Sequence, residues 1–132
     1  MANTDHPLVM VLDDEAPIRE IERRILEEAG YRVIEASGGA DAFTLLEGTP
    51  DLALLIADLE MPDVTGEEVV RRIRLARPDL KVLYVTGHID RLLDARSTLW
   101  EGEAFLDKPF TPRGLLEAVS LLLYGKLPKQ VE

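Results

Sequence analysis

The chain has 132 residues, 46% hydrophobic and 30% charged, which suits one folded domain with a single sizeable core. It has no cysteine, which excludes disulfides and thiolate metal sites and fits an expected cytoplasmic location. A formal net charge of −10 would repel a polyanion and argues against direct nucleic-acid binding; no apolar run is long enough to span a membrane, and Met1–His6 lacks the basic-then-apolar pattern of a secretory signal.

Short apolar runs alternate with amphipathic stretches, which predicts a doubly wound parallel α/β sheet. The first strand, Leu8–Leu12, stops at the acidic pair Asp13-Asp14. A helix follows with Pro17 in its first turn, where a missing N–H costs little. Its apolar positions Ile18, Ile21, Ile25, Leu26 and Ala29 keep helical spacing, and Gly30 ends it. The second strand is Arg32–Glu35; the second helix runs from Gly39 to Glu47 and is broken by Gly48-Thr49-Pro50. The third strand, Leu52–Ala57, is apolar throughout, as a strand covered on both faces must be, and it stops at Asp58. The third helix opens at a capping box, Thr65 with Glu68. It is expected to turn Val69, Val70, Ile73 and Ala76 to the core and to pair Glu67 with Arg71 and Glu68 with Arg72 on its wet side. The fourth strand, Lys81–Val85, stops at Thr86. A fourth helix is expected over Asp90–Leu99, with Trp100 packing just beyond it. The fifth strand, Glu103–Leu106, leads towards Lys108, and the last helix starts at Thr111-Pro112 and carries Leu115, Leu116, Val119, Leu122 and Leu123. Residues 1–124 read as the domain and residues 125–132 as a tail or linker.

Asp13, Asp14, Asp58, Thr86 and Lys108 each stand where an apolar strand stops. Parallel strands would gather all of them at the carboxyl edge of the sheet, where open α/β sheets place their sites. Three carboxylates so close repel one another without a cation, and a hard cation such as Mg2+ takes oxygen ligands. Asp58 can then act as a nucleophile towards a phosphoryl group, with Lys108 pairing to the product and the Thr86 hydroxyl donating to another of its oxygens. A cis Lys108–Pro109 bond would aim the ammonium back into the pocket; sequence leaves that isomer open. Singly, each residue has a plainer reading as a solvated loop carboxylate, a surface lysine or a strand-end hydroxyl. Phe105 alone reads as core, His88 as a loop residue, and Arg71, Arg72, Arg74 and Arg77 as a solvated, salt-bridged face. It is the ordered set that favours a pocket.

That set resembles the receiver domains of two-component response regulators. The resemblance rests on Val-Leu-Asp-Asp-Glu at 11–15, Asp-Leu-Glu-Met-Pro at 58–62, Thr-Gly at 65–66, Val-Thr-Gly at 85–87 and Phe-Leu-Asp-Lys-Pro-Phe at 105–110, and it covers about Leu8 to Tyr124. It implies a flavodoxin-like (βα)5 fold with strand order 2-1-3-4-5. It implies Asp58 as phosphoacceptor, Mg2+ held by Asp14 and Asp58 with help from Asp13 and the backbone carbonyl of Glu60, and Thr86 with Phe105 as a switch pair. The donor would be a histidine kinase or a histidine phosphotransfer protein, and phosphorylation would reshape the surface of the fourth helix, fifth strand and fifth helix. An output partner and a phosphorylation-linked homodimer are further expectations, and enzymatic activity would be limited to self-phosphorylation and self-dephosphorylation. Glu60 and His88, by their offsets from Asp58 and Thr86, are placed to flank the water that removes the phosphate.

Two rivals accompany this reading. A haloacid-dehalogenase-type phosphatase also uses a strand-end aspartate, Mg2+, a hydroxyl and a lysine. It needs a second aspartate two residues after the nucleophile, where this chain has Glu60, and its nucleophile follows the first strand rather than the third. A degenerate receiver that only docks partners is the other. Lys81–His88 and the stretch from Phe105 to Pro112 look like receivers fused behind sensor kinases, whereas Met1 and a short polar lead-in favour a natural start; both remain open.

Overall fold

Five parallel strands form one sheet in the order β2-β1-β3-β4-β5, with β1 at Leu8–Leu12, β2 at Arg32–Ala36, β3 at Leu52–Asp58, β4 at Lys81–Thr86 and β5 at Glu103–Asp107. The computed structural model describes residues 6–61, 65–87 and 102–128. Within them lie α1 (Ala16–Glu28), α2 (Gly39–Glu47), α3 (Gly66–Ala76) and a C-terminal helix (Pro112–Tyr124). The expected helix over Asp90–Leu99 lies outside the described residues, as do His88 and Trp100. The strand order is the one expected. Strands two to five each run one residue further than the apolar runs suggested, so Asp58 and Thr86 are the last residues of β3 and β4.

Successive strand residues face opposite sides, so each strand feeds two cores. Met10, Leu12, Leu55, Ala57 and Tyr84 pack against α2 and α3. Val9, Val11, Leu54, Ile56, Leu83 and Val85 pack against α1 and the C-terminal helix. β1, flanked by β2 and β3, is buried along its whole length, which explains its unbroken apolar run, whereas the edge strand β2 is mostly half-buried and carries Arg32 and Glu35.

Two helix starts form as their sequences dictate. The Thr65 hydroxyl accepts the Glu68 N–H at 3.2 Å, and the Thr111 hydroxyl accepts the Gly114 N–H at 2.9 Å ahead of Pro112. The Glu68 carboxylate turns outward to Arg71 and Arg72, so Arg71 pairs with Glu68 rather than with the expected Glu67. The start of α3 also lies hard against the end of β3: a Cβ on Gly66 would sit 2.3 Å from the Asp58 carbonyl oxygen. Only glycine lets these two segments meet so closely.

α1 is rotated relative to the expectation, whereas α3 buries the expected Val69, Val70 and Ile73 and exposes only the fourth, its terminal Ala76. Ile21 is 50% exposed, and Ala29 and Ala76 are exposed as well. The buried stripe of α1 instead runs through Glu22 and Leu26, flanked by Ile18 and Ile25. A carboxyl at the centre of that stripe hid its true axis from the apolar spacing.

Candidate functional site at the carboxyl edge of the sheet

Three carboxylates meet where β1 and β3 end: one oxygen from each of Asp13, Asp14 and Asp58 lies within 4.8 Å of the others. Asp13 and Asp58 are buried, and Asp14 is exposed. Their backbone neighbours fix the inner two. Asp13 Oδ1 accepts the Glu15 N–H at 2.8 Å, and the Asp13 carbonyl accepts from the Arg19 guanidinium at 2.7 Å. Asp58 Oδ1 accepts the Glu60 N–H at 3.0 Å. Lys108, on the loop after β5, places Nζ 3.2 Å from Asp58 Oδ1 and 4.0 Å from Asp13 Oδ2. The Lys108–Pro109 peptide is cis.

This arrangement is anion-rich. Burial, and next the negative charge of Asp58, push the Asp13 carboxyl up to about 6, against the lowering pull of the Glu15 N–H and of Lys108. For Lys108, burial disfavours the charged form, but Asp58, Asp13 and Glu60 together outweigh it and its pKa is raised. Asp13 Oδ2 and Asp58 Oδ2 are buried and have no hydrogen-bond partner among the described residues. Two buried carboxylate oxygens without donors, beside a third carboxylate, fit the needs of a hard cation.

Thr86 ends β4, buried, on the neighbouring side of β3. Its hydroxyl donates to Glu60 Oε1 at 2.8 Å, and the Gly87 N–H donates to the same oxygen at 2.7 Å. The Lys108 N–H donates to the Thr86 carbonyl at 2.9 Å, tying the loop after β5 to β4. Phe105 pairs in register with Tyr84, its ring 5.5 Å from the Tyr84 ring at 30°. Below it the Tyr84 hydroxyl donates to Glu103 at 3.0 Å, and Arg74 of α3 lies 3.5 Å from the same carboxylate.

The edge thus brings together Asp13, Asp14, Asp58, Thr86, Lys108 and Glu60, while Phe105 sits half-buried on β5 in the core under α2 and α3. Sequence reasoning assigned Glu60 a carbonyl and a water, and missed that its carboxylate crosses to β4. It also missed Glu22, 2% exposed on α1, whose Oε2 has no hydrogen-bond partner among the described residues. Burial first, and then Asp13, raise its pKa to about 8. The available signal was an acidic residue at helical spacing between Ile18 and Leu26.

A 2-1-3-4-5 sheet with acids, hydroxyl and lysine on its carboxyl edge is the architecture that the receiver resemblance implies. The model of the response regulator receiver domain matches residues 9–120, and the chain belongs to that family. It is 32% identical to the response regulator receiver protein CpdR of Brucella abortus over 115 residues, covering 87% of this chain and 95% of CpdR. Among solved structures it is similar to the chemotaxis protein CheY4 of Vibrio cholerae, at 27% identity and a TM-score of 0.78, over 89% of this chain and 99% of that one. It is likewise similar to the response regulator TrrA of Thermotoga maritima, solved in complex with Mg2+ and BeF, at 33% identity and a TM-score of 0.74, over 89% and 99% of the two chains. It also matches longer response regulators of which it spans 50% of the length. Among the described residues no helix is long and apolar enough to cross a membrane.

Proposed function

We propose that this receiver domain is a phosphoacceptor switch in a two-component phosphorelay, taking phosphate on Asp58 from a histidine kinase or a histidine phosphotransfer protein in a Mg2+-dependent reaction. The observation that carries this is the setting of Asp58: a buried carboxylate with one oxygen held by Lys108 and the Glu60 N–H and the other without a hydrogen-bond donor among the described residues, beside Asp13 and Asp14.

Asp13, Asp14 and Asp58, with the Glu60 carbonyl, are the groups that would hold the cation. When bound, the cation neutralises the carboxylates and the oxygens of the incoming phosphoryl group. The chain's own residues do the rest. An Asp58 oxygen forms the bond to phosphorus as the bond from phosphorus to the donor's imidazole nitrogen breaks, and the electron pair of that bond leaves with the imidazole. Lys108 pairs with the phosphoryl charge, and the Thr86 hydroxyl donates to one of its oxygens. Phe105 and the surface around the expected fourth helix, β5 and the C-terminal helix carry the altered shape outward. Residues 1–124 form this unit, residues 125–132 are a tail or linker, and a cytoplasmic setting suits such a relay.

Acetyl phosphate with Mg2+ tests the reading. Labelling should occur, disappear with EDTA and be abolished in Asp58→Asn. Undiminished labelling of Asp58→Asn overturns the acceptor assignment. No labelling of the parent favours a receiver that only docks, and turnover of a simple phosphate ester favours a phosphatase.

A further inference from the structure

Glu60 stands in two places at once. Its backbone N–H is bound to Asp58 Oδ1 at 3.0 Å, so its main chain is held beside the acceptor. Its side chain crosses to the neighbouring strand, where one carboxylate oxygen accepts from both the Thr86 hydroxyl at 2.8 Å and the Gly87 N–H at 2.7 Å. Both are short, charge-assisted bonds. A Cβ on Gly87 would meet Glu60 Oε1 at 3.7 Å and Lys108 Cβ at 4.0 Å, both ordinary contact distances, so the approach does not depend on glycine at that position. Glu60 also adds to the negative field at Lys108. One anionic oxygen therefore already engages the hydroxyl that the proposed function gives to a phosphoryl oxygen on Asp58, together with the amide next to it.

We propose that the Glu60 carboxylate is a built-in competitor for the phosphoryl site, which holds the Thr86 hydroxyl and the Gly87 N–H in the unmodified protein and must leave them when Asp58 is phosphorylated. The inference rests on the reading of Asp58 as the phosphoacceptor. A hydroxyl and an amide each carry one proton to donate, so carboxylate and phosphoryl oxygen exclude each other from these donors. Their like charges make sharing less favourable still. Phosphorylation then exchanges one anion for another on Thr86. The change at the surface starts with the released Glu60 arm as much as with Thr86, and the grip on the phosphoryl group is weaker than Thr86 and Lys108 alone would provide.

The test uses the whole chain with beryllofluoride and Mg2+ as the phosphoryl stand-in, followed through backbone amide spectra. Glu60→Ala should bind beryllofluoride roughly tenfold more tightly than the parent, about 1.4 kcal/mol. Glu60→Gln, which keeps an acceptor oxygen without the charge, should fall between them. A diffuse charge effect is screened by salt whereas a contested hydrogen bond is not, so the gain should persist at high salt. Before any beryllofluoride is added, the Gly87 amide proton should move upfield in Glu60→Ala, a change that loss of general stability would not produce. Binding within twofold of the parent, a gain that vanishes in high salt, or an unmoved Gly87 amide each overturns the proposal. If neither parent nor variant binds beryllofluoride, the reading of Asp58 falls and the competition falls with it, while the Gly87 shift still reports whether Glu60 holds that amide.

Discussion

In the proposed cation site one buried carboxyl, that of Asp13, would tie metal binding to pH. Burial and Asp58 lift it to about 6, so below that pH a proton takes the place that a cation needs. Mg2+ affinity should therefore rise as the pH increases through about 6 and level off above it. A Mg2+ titration at several pH values, read by the amide shifts of Asp13, Asp14 and Asp58, checks this. Asp13→Asn should flatten the dependence, and an unchanged slope in that variant would assign the proton to another group. That the three acids would gather was legible in their strand-end positions. That Asp13 and Asp58 are buried while Asp14 is exposed was not, because the three positions look alike in sequence.

At the scale of elements, the joints between strands and helices position the site. Thr111 is a cap in sequence and in structure, and its loss leaves the Gly114 N–H without its side-chain acceptor. Thr111→Ala should lower stability by roughly 1 kcal/mol in urea unfolding and leave beryllofluoride binding nearly unchanged, since the cap lies outside the acidic cluster. Gly66→Ala should do more. Its Cβ would meet the Asp58 carbonyl oxygen at 2.3 Å, so α3 or the end of β3 must shift. A loss of roughly 1–3 kcal/mol is expected from such overpacking, together with weaker beryllofluoride binding because the backbone of the proposed acceptor, Asp58, is displaced. Retention of full stability and binding would mean that the joint can slide. The cap at Thr65 was readable from the spacing to Glu68, but the close approach of Gly66 to a strand end was not, because nothing local in the chain reports a neighbour that arrives through the fold.

Across the whole molecule, Glu22 should set part of the pH dependence of stability. Its carboxyl has an ordinary value of 4.5 and is raised to about 8 in the fold, so the folded chain holds a proton that the unfolded chain releases between those values. Stability from this group is therefore present below about pH 4.5 and is lost as the pH climbs towards about 8, with Asp13 of the metal-free protein acting in the same direction up to about 6. Glu22→Leu removes the ionisable group from an apolar stripe. It should stabilise the protein by on the order of 1–3 kcal/mol at pH 8 and by much less near pH 4.5, as measured by urea unfolding. Equal gains at both pH values would mean that packing rather than ionisation decides the difference. What the sequence by itself determined was the alternation of strand and helix, the strand order through its receiver motifs, and the placing of Asp13, Asp14, Asp58, Thr86 and Lys108 at strand ends. Apart from the strand order, which only the receiver resemblance implies, those features are local or periodic: apolar runs of strand length, caps at fixed spacing, and polar residues where the runs stop. Only the tertiary structure decided the rotation that buries Glu22 and exposes Ile21, the meeting of Gly66 with Asp58, and the reach of Glu60 to Thr86 across 26 residues of chain. Each of these is a distance between segments that the chain brings together only when the sheet closes, and burial, charge and hydrogen bonding follow from those distances rather than from residue type.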